Sequence, residues 1–143
     1  MDFLKLHLDQ LVLGTLGFMS FVMIALAVER YLYYWRVNLT TFEHLELLKI
    51  ALTRNLTTIS SVGSNAPYIG LLGTVLGILV TFNDMGQGGK IDVNTIMLGL
   101  AMALKATAAG LLVAIPAILF YNGLLRKVEV LISRWAALQD GKA

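Results

Sequence analysis

Three blocks of the chain are apolar for long enough to cross a bilayer. A hydrocarbon core about 30 Å thick needs roughly 20 mostly apolar residues in a helix, with about 17 as the short limit. Residues 11–34 are interrupted only by Glu29 and Arg30 near their end, residues 66–82 sit near the short limit, and residues 96–121 are comfortably long. Beyond Tyr121, the residues Leu124, Leu125, Val128, Leu131, Ile132, Trp135 and Leu138 recur at helical spacing among charges, so the third helix is expected to continue out of the membrane. Between the first two spans, LTTFEHLELLKIALTRNL reads as an amphipathic helix. Thr40 followed three residues later by Glu43 is a capping-box pattern, and Phe42, Leu45, Leu48, Ala51 and Leu52 fall on one face, a packing face toward another helix. The stretch NDMGQGGKIDVN before the third span is a glycine-rich turn by composition, with Asp92 or Asn94 as the cap of the next helix. The expected fold is all-α, a three-span transmembrane helical protein without internal repeats.

Composition agrees with that pattern. Of 143 residues, 57% are hydrophobic and 14% charged, against about 25% charged in soluble domains, and the mean hydropathy is +0.76. A cleavable signal peptide would begin with positive charge, whereas this chain begins MDFLKLHLDQ and its first apolar run is too long, so the first helix is read as a signal anchor. There is no cysteine, which excludes disulfides and thiolate metal sites. The pI of about 9.0 comes from lysines and arginines that flank spans, without the basic, aromatic-interleaved patch of a nucleic-acid binder.

Those flanking charges give an orientation, because positive flanks stay in the cytoplasm. Arg36, Lys49 and Arg54 follow the first span, and Arg126, Lys127, Arg134 and Lys142 follow the third; the other side has Lys5 and Lys90. The N-terminus is therefore expected outside and the C-terminus inside. One membrane domain, residues 1–143, then has a cytoplasmic segment at 35–65, an outer loop at 83–95 and a cytoplasmic tail at 122–143. Tyr31, Tyr33, Tyr34 and Trp35 are expected to form an aromatic belt at the cytoplasmic interface.

Candidate chemistry lies in two stripes. In the second span, Gly70, Thr74, Gly77 and Thr81 share a face opposite Leu72, Val75, Leu76 and Leu79; in the third, Ala103, Thr107, Gly110, Ala114 and Ala117 do the same. Small residues let helix backbones approach in lipid, so tight packing is one reading of both stripes. The other starts from the threonine at the middle of each. Two hydroxyls facing a shared cavity would hold water or a carboxyl group from another chain, although a mid-helix threonine also bonds the carbonyl four residues back. Proton relays in membranes use Asp, Glu or His, and the second and third spans contain no acid, so a titrating carboxylate would have to come from a partner. No nucleophile–base pair or metal-ligand spacing lies within reach of the spans, which leaves little support for an enzyme, a metal or a cofactor.

Lys105 is separate from this stripe. Two residues along a helix is a rotation of roughly 200°, so Lys105 points nearly opposite Thr107, on a face with Ala101, Met102, Ala108 and Leu112 toward lipid or a neighbouring subunit. An uncompensated lysine at the bilayer centre costs about 2.5–3.5 kcal/mol on insertion scales. Snorkelling toward the outer surface and a hydrogen bond or ion pair to the next subunit are the two ways to relieve it.

GSNAPYIGLLGTVLGI followed by ALKATAAGLLVAIPAILFYN resembles the paired signature of the ExbB, TolQ and MotA family of proton-channel subunits, and the VER of residues 28–30 resembles the end of that family's first span. The resemblance implies a ring of subunits, a pentamer, around the single-span helices of an ExbD- or TolR-like partner that carries the membrane aspartate. It implies a proton-motive-force-driven motor that energises a TonB- or TolA-like protein in the inner membrane. It matches Thr74 and Thr107 to pore-facing threonines, Pro67 to the proline opening the second span and Pro116 to the one in the third. MotA-like members resemble the chain least, having an extra span and a large cytoplasmic domain; the chain looks like a compact member nearest the ExbB side. A TolQ-like role in the Tol-Pal envelope system and a non-conducting structural scaffold remain as alternatives. One departure stands out: familiar members carry a glutamate where Met102 stands and an apolar residue where Lys105 stands.

Overall fold

The computed structural model describes the backbone of residues 2–142 and the side chains of residues 6–141. Four α-helices account for nearly all of it: α1 (Asp2–Arg36), α2 (Leu45–Thr53), α3 (Leu56–Gly88) and α4 (Val93–Lys142), with a single 3₁₀ turn at Leu39–Thr41 and no strand among the described residues. α1, α3 and α4 are each long and apolar enough to cross a membrane. At 1.5 Å per residue, the 50 residues of α4 reach about 75 Å, far more than a hydrocarbon core. The third span and the amphipathic tail are therefore one continuous rod.

Helix ends depart from the sequence reading in three places, each for a local reason. α3 begins at Leu56, so the short second span is part of a 33-residue helix in which Pro67 is internal rather than at the opening. The Ser/Asn-rich segment before Pro67 falls outside the expected span, yet Leu56, Ile59, Val62, Gly63 and Ala66 are buried at helical spacing. Its polar side chains bond the helix's own carbonyls, as Asn65 Nδ2 does to Ser61 O at 2.8 Å. The glycine-rich turn is also shorter than expected, since α3 runs to Gly88 and stops where Gly89 takes a left-handed φ of 70°. Asp92 then caps α4, its carboxylate accepting from Asn94 N at 3.2 Å and from the Thr95 hydroxyl at 2.8 Å.

The capping box at Thr40 and Glu43 is not formed. Asn38 caps the 3₁₀ turn instead, its Oδ1 accepting from Thr40 N at 3.1 Å and from the Thr40 hydroxyl at 2.6 Å, an Asx turn that outcompetes a helix start. Phe42 is held in extended backbone, and its carbonyl accepts from Trp135 Nε1 of α4 at 3.0 Å. α2 starts only after His44, and of the expected apolar face Leu48 and Leu52 are fully buried.

Two apolar cores result. At the α2 end, Met23 and Ala27 of α1, Leu48 and Leu52 of α2, Ile59 of α3 and Leu124 and Val128 of α4 pack together. Toward the Gly89–Asp92 end, Leu8, Val12 and Leu16 of α1 meet Ala66 of α3 and Ala106 and Ala114 of α4. The aromatic belt is only partly a belt. Trp35 is 87% exposed, but Tyr34 is buried with its hydroxyl donating to Leu52 O at 2.5 Å, and Lys127 sits 5.4 Å over the Tyr31 ring. Burial against α2 and α4 claims rings that a lone span would leave at the interface.

Candidate functional site

The two small-residue stripes face each other within one chain and form the seam between α3 and α4. At the closest crossing, Gly70 and Gly110 lie side by side: a Cβ on Gly70 would meet Ala106 O at 2.6 Å, and one on Gly110 would meet Ala66 O at 2.6 Å. Only glycine allows backbones so near. Two turns along, Gly77 packs on Ala103, whose Cβ would lie 3.0 Å from an added one. Ala103, Gly110, Ala114 and Ala117 are all buried, and Gly77 is half-buried.

Thr74 and Thr107 meet in this seam. Thr74, 8% exposed, donates its hydroxyl to Ala103 O across the seam at 2.8 Å, with its own Gly70 O more distant at 3.3 Å. The Thr74 and Thr107 hydroxyls are also hydrogen-bonded to each other. A hydroxyl has one proton, so with that of Thr74 directed at Ala103 O, Thr107 is the donor within the pair. The Thr107 oxygen keeps its acceptor capacity, and its side chain is only half-buried. Thr81 behaves differently: it bonds Gly77 O of its own helix at 2.9 Å, the local arrangement open to any mid-helix threonine.

The other candidates sit around this seam. Pro67 and Pro116 are internal to α3 and α4, where each removes one backbone N–H from the helix ladder. Gly63, whose carbonyl Pro67 cannot bond, packs on Ala117 and Ile118 of α4. Lys105 is exposed together with Ala101, Ala108 and Leu112 on the side of α4 away from the seam, while Met102, also exposed, borders the space between α4 and its neighbours.

Arg30 is a residue whose role sequence reasoning missed, reading it as an interruption of the first span and as part of the VER at that span's end. It is 2% exposed. Its guanidinium reaches Glu29 with Nε–Oε2 and Nη2–Oε1 both at 2.5 Å, donates from Nη1 to Ala51 O at 2.8 Å, and lies 4.3 Å from the Tyr33 ring centroid. With Tyr34 on Leu52 O, it fastens the end of α2 to α1. The available signal was the spacing, an arginine with aromatics three and four residues on, which places rings beside it on one helical face.

Residues 35–137 match the model of the MotA/TolQ/ExbB proton channel family. The chain is 48% identical over 139 residues to the biopolymer transport protein ExbB of Helicobacter pylori strain J99, covering 97% of this chain and 96% of that protein. It is 49% identical over 138 residues to the biopolymer transport protein ExbB of Aquifex aeolicus, covering 96% and 93%. To the Tol-Pal system protein TolQ of Pseudomonas aeruginosa it is 40% identical over 89 residues, covering 62% of this chain and 38% of that protein.

Proposed function

We propose a function on one premise: the chain belongs to the MotA/TolQ/ExbB proton channel family. It is a multi-pass inner-membrane subunit of an energising proton-channel complex. More finely, it is the ring-forming subunit of an ExbB–ExbD-type motor, a pentamer around a single-span ExbD-like partner, and it energises a TonB-like protein for outer-membrane transport. Near full-length similarity to two compact ExbB proteins, against partial similarity to a TolQ, supports the ExbB role over the Tol-Pal one.

The observation that carries the reading is the Thr74–Thr107 pair. It is a hydrogen-bonded hydroxyl couple on spans that hold no acid, with an acceptor left on Thr107. Such an acceptor suits a protonated carboxyl or a water delivered by a partner helix. The field supplies the work, because a charge crossing the membrane gains about 2.3 kcal/mol per 100 mV. The close glycine crossing also serves the scaffold alternative, in which the seam only packs, so the test must separate chemistry from packing. Thr74→Val and Thr107→Val conserve shape and remove the hydroxyl. Each is expected to cut energised substrate uptake about tenfold, the worth of one hydrogen bond in the rate, at unchanged protein level, with Ser at either position retaining it. Full uptake in both valine variants would leave the scaffold reading.

The reading places the N-terminus in the periplasm and the C-terminus in the cytoplasm. It also assigns Lys105 to the contact with the next subunit, since intramembrane charges are normally paired and Lys105 makes no hydrogen bond or ion pair among the described residues. Lys105→Met is expected to dissociate at a lower detergent concentration than the parent on native gels. An oligomer of unchanged detergent resistance would remove Lys105 from the interface.

A further inference from the structure

On the Gly89–Asp92 side of the threonine pair, a cavity of about 230 Å³ opens between α1, α3 and α4. Its wall includes Asp9 of α1, Gly77 and Thr81 of α3, and Gly99, Met102 and Ala103 of α4. The same small residues that bring α3 and α4 together, Gly77, Gly99 and Ala103, line part of this space. At about 30 Å³ for each water in the liquid, there is room for several.

Asp9 is half-buried at this wall and forms no hydrogen bond or ion pair among the described residues. Among the described residues it is the one ionisable group lining the cavity. The nearby charged groups lie elsewhere: His7 on α1, Asp84 on α3 and Lys105 on α4 are not part of the wall. A carboxylate beside apolar atoms is stabilised by water or a cation standing against it. Polar surface continues inward. The Thr81 hydroxyl donates to Gly77 O at 2.9 Å and keeps its lone pairs, and Ala103, at the inner wall, supplies the carbonyl that accepts from Thr74.

We propose that this cavity is a hydrated, cation-favouring vestibule in which the Asp9 carboxylate collects and accepts protons ahead of the Thr74–Thr107 pair. The side from which those protons arrive rests on the periplasmic N-terminus of the proposed function. Asp9 thereby gives the chain a titratable group of its own at the mouth of the route, although the second and third spans have none.

The chain has no cysteine, so a single introduced thiol reports the cavity cleanly in the full complex. Val80→Cys lines the cavity, and Leu112→Cys, on the exposed face of α4, is the control. Val80→Cys is expected to react with membrane-impermeant methanethiosulfonates from the periplasmic side, the cationic reagent about tenfold faster than the anionic one, while Leu112→Cys reacts with neither. The ratio of the two rates cancels the ionisation of the thiol itself. It should be near one when Asp9→Asn is added. Reaction with a lipophilic maleimide but with neither charged reagent would show a dry cavity and overturn the proposal. A ratio that Asp9→Asn leaves unchanged would remove Asp9 from it. The same Asp9-dependent ratio seen only in inverted vesicles would keep the hydrated cavity and overturn the orientation instead.

Discussion

Gly110→Ala and Gly70→Ala are expected to lower the thermal midpoint of the detergent-solubilised protein by about 5 °C or more, while Gly14→Ala leaves it unchanged or raises it by up to about 4 °C. The scale follows from overpacking costs of about 1–3 kcal/mol at roughly 2–4 °C per kcal/mol for a chain near this size. An added methyl at Gly110 would sit 2.6 Å from Ala66 O and 3.1 Å from Gly70 Cα. Both obstacles are helix backbone, so no rotamer change relieves them and α3 must move off α4. Gly14 has nothing within 4 Å of an added Cβ. The displacement also reaches the hydrogen bond from Thr74 to Ala103 O, which lies one turn from the crossing. Equal midpoints for Gly110→Ala and Gly14→Ala would mean that the seam is not the close backbone contact described.

Much of this seam is visible in the amino-acid order. Gly70, Thr74, Gly77 and Thr81 recur at helical spacing, as do Ala103, Thr107, Gly110 and Ala114, and small residues at that spacing mark a face where a helix meets another. Periodicity gives a face for each helix but not its partner. That the two stripes meet each other within one chain, and that Thr74 reaches across while Thr81 bonds its own helix, needed the tertiary structure. Helix ends were hidden for a different reason. Ser60, Ser61, Ser64 and Asn65 have the composition of a loop, and burial of Ile59, Val62 and Ala66 on the opposite side overrides that preference. At Thr40 the competition went the other way, an Asx turn from Asn38 displacing a capping box that the spacing alone favoured. Arg30 read as a charge ending a span, because its partner Ala51 O becomes a neighbour only after α2 folds back on α1.

Arg30→Gln is expected to release α2. The bond to Ala51 O, made by a charged donor, is of a kind worth about 1.5–3 kcal/mol, and it lies in a site where the guanidinium is 2% exposed. Glu29, 46% exposed on its side chain, can be rehydrated when its partner is lost, so the ion pair itself adds little. One to two kcal/mol is a factor of about 5–30 in a folding equilibrium. Protease cleavage within residues 37–55 should therefore accelerate about tenfold, with the spans left intact. Arg30→Lys is not expected to restore protection, since an ammonium cannot hold Glu29 bidentately and reach Ala51 O together. Unchanged cleavage in Arg30→Gln would mean that Tyr34 and the buried Leu48 and Leu52 hold α2 without it.

Proton flux tests the central claim, that the hydroxyl pair lies on a proton route rather than merely in a packing seam. The chain and its single-span partner would be purified together, reconstituted in vesicles and driven by an imposed potential of about 100 mV, which supplies about 2.3 kcal/mol per charge. Flux through Thr107→Val is expected to fall about tenfold below the parent, with Thr107→Ser close to the parent and all three oligomers the same size. Parental flux through Thr107→Val at the same oligomer size would contradict the claim and leave the threonines as packing residues.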